Sequence, residues 1–338
     1  MNDQPELLSK NAVDPYEARA HFNKLGLSYL IMTVAFMAVA YIVQYVAAKF
    51  CSALYLTWWF SWAVSLLPLY GVGLPVLWLC LRRVPAAPHN VDFTTRGVTA
   101  EKPPFGLSQW LILLVIAFGC MTAGSIAGNI IMSILSMVMQ YDYAFALNGM
   151  VNNTPTWFTL ICTCICAPFG EELLFRKLLI DRTRHWGDMT AILLSGLLFG
   201  LFHGNLFQFF YAALVGMVLA YVYTRSGSYL WCVAMHAAVN LMGSIVIPAL
   251  AKFLPADMMS FTSFGSLAVY LLIMLWQYGM LVAGITLFCV FFPRRKLSNG
   301  TSTLEGRLGP KLSIANPGMI ACLVVMLLLV IVNLIPAY

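Results

Sequence analysis

Two adjacent carboxylates stand inside an apolar stretch. Glu171 and Glu172 follow the run 157–170, and Leu173, Leu174, Phe175, Leu178, Leu179 and Ile180 continue it. A charge at mid-span costs about 2.5–3.5 kcal/mol on insertion scales, so a pair there calls for a partner or a task. Arg176 lies four residues after Glu172, on the same helix face, where the two can pair. Glu171 is turned about 100° from Glu172 and so faces a different partner. Pro168 and Gly170, just before the pair, can bend the helix or open its backbone. The plain alternative is a helix end, with Lys177 and Asp181 as the first interfacial charges. His203 closes the next apolar run, one turn after Phe199 and beside Asn205 and Gln208; His236 and Asn240 lie four apart on one face of a later run. Singly, each reads as packing or interhelical hydrogen bonding. Together they point to one shared intramembrane site, in which His236 and Asn240 present a ring nitrogen and an amide to the same volume, as a binding site or oxyanion hole would require.

The elements that must position these groups are membrane helices. Of the 338 residues, 61% are hydrophobic and 9% charged, whereas globular proteins carry about 25% charged residues. A chain this apolar cannot cover itself with polar surface in water. Runs near the roughly 20 residues a crossing requires predict an all-α, polytopic bundle of eight or nine spans, placed at 27–48, 55–81, 108–140, 155–180, 189–204, 206–224, 228–250, 265–292 and 318–337. The third is long enough to tilt or to carry a surface turn. The fifth and sixth are short, nearly without linker, and read as a hairpin lining a cavity. Gly196, Gly200 and Gly204 give the fifth a small-residue face for close approach. Its start at 189 leaves His203 too deep to meet the other groups unless that span is tilted or begins inside the interface. The organisation expected is a tail at 1–26, N-terminal helices at 27–150, a catalytic core at 155–250 and C-terminal helices at 265–338.

With the N-terminus in the cytoplasm, the basic residues of the loops fall on cytoplasmic segments, leaving only Lys49 and Lys252 outside. That asymmetry orients the protein and explains its net charge of +6 without nucleic acid. An odd span count then puts the C-terminus outside. The nine cysteines lie in or beside apolar runs and read as packing residues. Cys162, Cys164 and Cys166 fan around a helix axis and do not converge on a metal. The sequence holds no His-Glu-x-x-His, Gly-x-Ser-x-Gly or Walker motif, and no pair of aspartates inside a span.

The ordered set Glu171-Glu172-x-x-x-Arg176, Phe199-x-x-x-His203 and His236-x-x-x-Asn240 resembles the CPBP family of CAAX proteases and bacteriocin-processing enzymes, also called the abortive-infection family. The resemblance covers roughly 155–248. It implies an intramembrane endopeptidase acting on a membrane-associated peptide or protein. In that reading Glu171 and His203 activate a water, Glu172 and Arg176 pair to hold their helix, and His236 and Asn240 bind the oxyanion. A metal-free glutamate mechanism is the favoured reading; a zinc ion held by two histidines and a glutamate is the alternative. Two non-enzymatic functions compete. A membrane regulator would use the polar set to hold a partner's helix. A transporter would use it as an ion path, but would call for broken helices repeated in two halves, and no such repeat is evident.

Overall fold

A computed structural model describes residues 15–86, 105–141, 154–255, 263–292, 297 and 308–335. These are helical throughout, and no strand occurs among the described residues. The first helix, α1, spans Pro15–Phe50 and begins well before the apolar run at Leu27. Ala18, Phe22, Leu25, Tyr29 and Met32 form one stripe at helical spacing, and all are fully buried. Part of the stretch expected as a tail therefore contributes core.

Helix α2 (Trp58–Leu81) contains Pro68 and widens into a π turn over Leu69–Gly73. Helix α3 (Leu107–Met139) runs without a break, so its length is not relieved by a turn; it ends where Gln140 turns left-handed. Helix α4 (Thr156–Trp186) carries the carboxylate pair. It is followed by α5 (Asp188–Phe202), α6 (Leu206–Ser226), α7 (Tyr229–Ala251) and α8 (Phe264–Phe291). A short α9 (Leu308–Ile314) precedes α10 (Pro317–Val332). Seven of these are long and apolar enough to cross a membrane; α5 and α10 are apolar but shorter. The bundle is a polytopic helical membrane protein, as its composition requires.

The expected hairpin of the fifth and sixth spans resolves into unequal partners. At 21 residues α6 is long enough to cross alone, while the 15 residues of α5 reach only about 22 Å at 1.5 Å per residue. The start of α5 is not a solvated loop. Asp181, Thr183, Arg184 and Asp188 are all buried at the junction with α4. Tyr223 donates to Asp181 at 2.9 Å, Lys177 pairs with Asp181 at 3.0 Å, and Arg182 donates to the carbonyls of Leu178 and Leu81. The charges that marked this stretch as a cytoplasmic loop tie α4 to α6 and to the end of α2.

Glycines set the tightest crossings. A Cβ on Gly124 of α3 would lie 2.3 Å from the Tyr211 backbone of α6, so the helices meet main chain to main chain. Gly279 of α8 faces open space, with nothing within 4 Å. Gly124→Ala should therefore destabilise the protein by about 1–3 kcal/mol through overpacking, while Gly279→Ala should cost nothing. Thermal unfolding of the two variants in detergent tests this; equal midpoints would contradict the close crossing.

Candidate active site

Helix α4 is an α-helix only in parts. It widens into π turns over Ile161–Cys166 and Leu173–Leu178, on either side of the Pro168–Glu172 stretch. Single π turns inside α-helices frequently mark functional sites. They also disturb the regular pairing of carbonyls, which in a membrane have no water to turn to. Side chains from four other helices supply donors. Tyr29 of α1 donates to the Leu174 carbonyl at 2.6 Å, and Tyr70 of α2 to Cys166 at 3.0 Å. Ser195 of α5 donates to Phe175 at 2.8 Å, Asn240 of α7 to Thr163 at 2.7 Å, and Tyr229 of α7 to Phe169. Gly170 is required here because the Tyr70 ring lies directly on it: a Cβ would stand 1.9 Å from the ring.

Glu172 and Arg176 form the buried pair that their spacing predicts, both with no exposed side-chain surface. Arg176 Nη2 donates to Glu172 Oε1 at 3.1 Å. Arg176 Nε lies 2.9 Å from Oε2, an ion-pair contact in which the N–H does not point at the oxygen. Arg176 Nη1 donates to Ser195 at 3.2 Å, and the guanidinium carbon sits 4.5 Å from the Phe199 ring centroid. His236 Nδ1 lies 2.9 Å from Glu172 Oε1. Glu172 thus takes a cation on one side and an imidazole on the other.

Glu171 stands apart, as the 100° turn predicts. Its side chain is 16% exposed against none for Glu172, which makes it the carboxylate a reactant can reach. Its Oε2 lies 3.8 Å from His236 Nε2, too far for a direct hydrogen bond but a gap that one water can bridge. The phenols of Tyr70 and Tyr211 lie within its electrostatic reach. His203 is half-buried, and its Nδ1 meets the Phe199 carbonyl at 2.8 Å. The Phe199 ring stands edge-on to both histidines, with centroids 4.9 Å from His203 and 5.6 Å from His236.

The partners settle the tautomers. A carbonyl only accepts, and so does the arginine-paired carboxylate, so Nδ1 carries the proton in both rings. Each Nε2 then presents a lone pair when the ring is neutral. In that tautomer His236 offers no proton to an oxyanion, and one amide proton of Asn240 is already on Thr163.

A family model described as type II CAAX prenyl endopeptidase Rce1-like matches residues 153–242. The UPF0177 protein YbdI of Lactococcus lactis subsp. lactis (strain IL1403) is 30% identical over 158 residues, which is 43% of this chain and 81% of that protein. The chain belongs to the CPBP family. No solved structure matches it. The CPBP assignment supports a membrane protease, and the matched segment contains all six residues singled out from the sequence.

Histidines whose Nδ1 is held by an acceptor are suited to ligate a metal through Nε2. Yet among the described residues no three His, Cys, Asp or Glu side chains stand together as an ion would need. All nine cysteines are free.

Of the six residues singled out, Glu171, Glu172, Arg176 and His236 converge directly. His203 joins them through Phe199, and Asn240 lies one turn along α7 with its amide on α4. Ser195, Tyr70 and Tyr229 of this CPBP protein were not legible as site residues. Ser195 could have been found: with Phe199 and His203 it repeats every four residues on one face of α5. Tyr229 opens α7 two turns before His236, on the same face; Tyr70 lies in a span without a motif and carries no local signal.

Glu172→Ala leaves Arg176 buried without its counter-charge, a change that costs about 3–5 kcal/mol. The variant should unfold well below wild type, and Arg176→Met in the same chain should restore much of the loss. Equal unfolding midpoints for wild type and Glu172→Ala would remove the support for this pairing.

Proposed function

We propose that the protein is an intramembrane endopeptidase that hydrolyses a peptide bond of a membrane-associated peptide or protein with Glu171 as the base. The observation that carries this is the contrast between the two adjacent carboxylates. Glu172 is sealed and charge-paired, whereas Glu171 is reachable and lies 3.8 Å from His236 Nε2, a separation that one water hydrogen-bonded to both can bridge. Glu171, assisted by His203, removes a proton from a water whose oxygen attacks the scissile carbonyl. His236, held through Nδ1 by Glu172, directs Nε2 toward the same water. Asn240 offers its second amide proton to the oxyanion. The proton held by Glu171 then passes to the leaving nitrogen as the C–N bond breaks, so one water is consumed for each bond cut.

The name of the matching family model suggests substrates with a prenylated C-terminal box, and a site inside a membrane bundle suits a lipid-anchored peptide. Glu171→Gln keeps volume and loses basicity. It should lower turnover of a cleaved library peptide by at least about 10²-fold, at the low end of what general-base catalysis contributes, with an unchanged unfolding midpoint. A Gln variant that keeps most of its turnover would refute the glutamate base.

We also propose that the N-terminus is cytoplasmic. Cys51, just beyond α1, and Cys289, near the end of α8, are both exposed and lie at opposite faces in this topology. In intact cells, an impermeant thiol reagent should modify a variant keeping only Cys51 and spare one keeping only Cys289. The reverse pattern would invert the orientation.

A further inference from the structure

Helix α10 lies outside the segment matched by the family model, yet its end reaches the turn that carries His203. Asn333, the residue after α10, donates its side-chain amide to the Gly204 carbonyl at 2.7 Å. We propose that Asn333 is a positioning residue for His203 and that α10 is the strut that delivers it. This rests on the reading of His203 as part of the site.

The turn His203–Gly204–Asn205 breaks the helix between α5 and α6, with Gly204 left-handed at φ 66°. Its depth follows from the register of α5 on α4. Ser195 meets Arg176, and Phe199 packs on Arg176 and Phe175, so the turn falls opposite the middle of α4. Non-helical backbone at that depth must find its partners within the protein. Here it does so through amides. The His203 carbonyl accepts from Asn205 Nδ2 at 3.0 Å, and Asn205 Oδ1 caps α6 by accepting from the Gln208 N–H at 2.8 Å. Those ties are local and move with the turn. The Asn333 bond spans 129 residues of sequence and anchors the turn to another helix.

That helix is itself well fixed. Asn316 caps its start by accepting from the Met319 N–H at 2.9 Å, and Asn23 of α1 accepts from the Gly318 N–H at 2.6 Å. A Cβ on Gly26 would lie 2.3 Å from the Met319 backbone, so α1 and α10 meet without side chains between them. Met319, Cys322, Met326 and Val330 then form a buried stripe along α10. The strut is rigid up to its last turn, where Asn333 itself is exposed. Removing its amide therefore deletes one donor and little packing. His203 keeps its Nδ1 bond to Phe199, but the backbone just after it loses its external tie, and the direction of Nε2 is no longer fixed.

The test uses the full chain in lipid nanodiscs, with Asn333→Leu (similar volume, no donor), Asn333→Asp (same shape, no amide) and Asn333→Gln (amide kept). Carbethoxylation of each histidine by diethyl pyrocarbonate, read by mass spectrometry, needs no substrate. The Leu and Asp variants should change the rate at His203 at least threefold and leave His236 as in wild type, and Gln should restore the wild-type rate. With a cleaved peptide, kcat should fall about tenfold with KM within twofold, the signature of a misplaced group and not of lost binding. An unchanged His203 rate in the Leu and Asp variants overturns the proposal. So does a parallel change at His203 and His236, which would mean general loosening. If the wild-type protein cleaves no peptide, the proposed activity fails by itself, and the labelling alone still decides whether Asn333 positions His203.

Discussion

The arrangement depends on one buried charge. Glu172 has no exposed side-chain surface, and taking a carboxylate out of water costs several kcal/mol unless it is paired and hydrogen-bonded. Arg176 meets that need from the same helix, and His236 meets it from α7. The guanidinium needs partners in turn, and α5 supplies them through Ser195 and the face of Phe199. These few contacts set the register of three helices. A slip of α5 or α7 by a turn would take the Ser195 hydroxyl or the His236 imidazole away from the Glu172–Arg176 pair, where no water can replace it.

The second carboxylate gains its character from the first. Because Glu172 absorbs both the cation and one imidazole nitrogen, Glu171 is left partly exposed, facing the other nitrogen of the same ring. Two neighbouring residues of one type thus take different environments, one sealed and one reachable, by a rotation of 100° about the helix axis. The division also explains why one aromatic ring matters. Phe199 touches Arg176, His203 and His236, so the apolar side chain is the common wall between the charge pair and the two histidines.

Around the pair, α4 departs from regular helix, and the cost is met from the flanking spans. Tyr29, Tyr70, Ser195, Tyr229 and Asn240 each place a donor on one of its carbonyls. Helices α1 and α2, which carry no motif of their own, are in this sense part of the site. Their tyrosines hold the backbone that aims the carboxylates, and the contact of Tyr70 with Gly170 leaves no room for any side chain there.

Composition and spacing were enough for the class of molecule and for most of the polar residues that meet at the candidate site. A chain with 9% charged residues has to place its helices in lipid, and a charge inside an apolar run is costly enough to mark itself. Spacing of four residues announced the Glu172–Arg176 pair and put His236 and Asn240 on one face, because helix geometry alone fixes those relations. What local spacing could not carry was which nitrogen meets which oxygen. Nothing within α7 says that His236 turns Nδ1 to Glu172 and Nε2 to Glu171, or that the Asn240 amide is on the Thr163 carbonyl. Nor does the sequence show that Asp181, Arg184 and Asp188 are buried, since charges beside a span read the same whether water or another helix surrounds them. Those outcomes depend on contacts between residues far apart in the chain. Packing decides them, because a buried polar atom takes whatever partner the neighbouring helix brings within 3 Å.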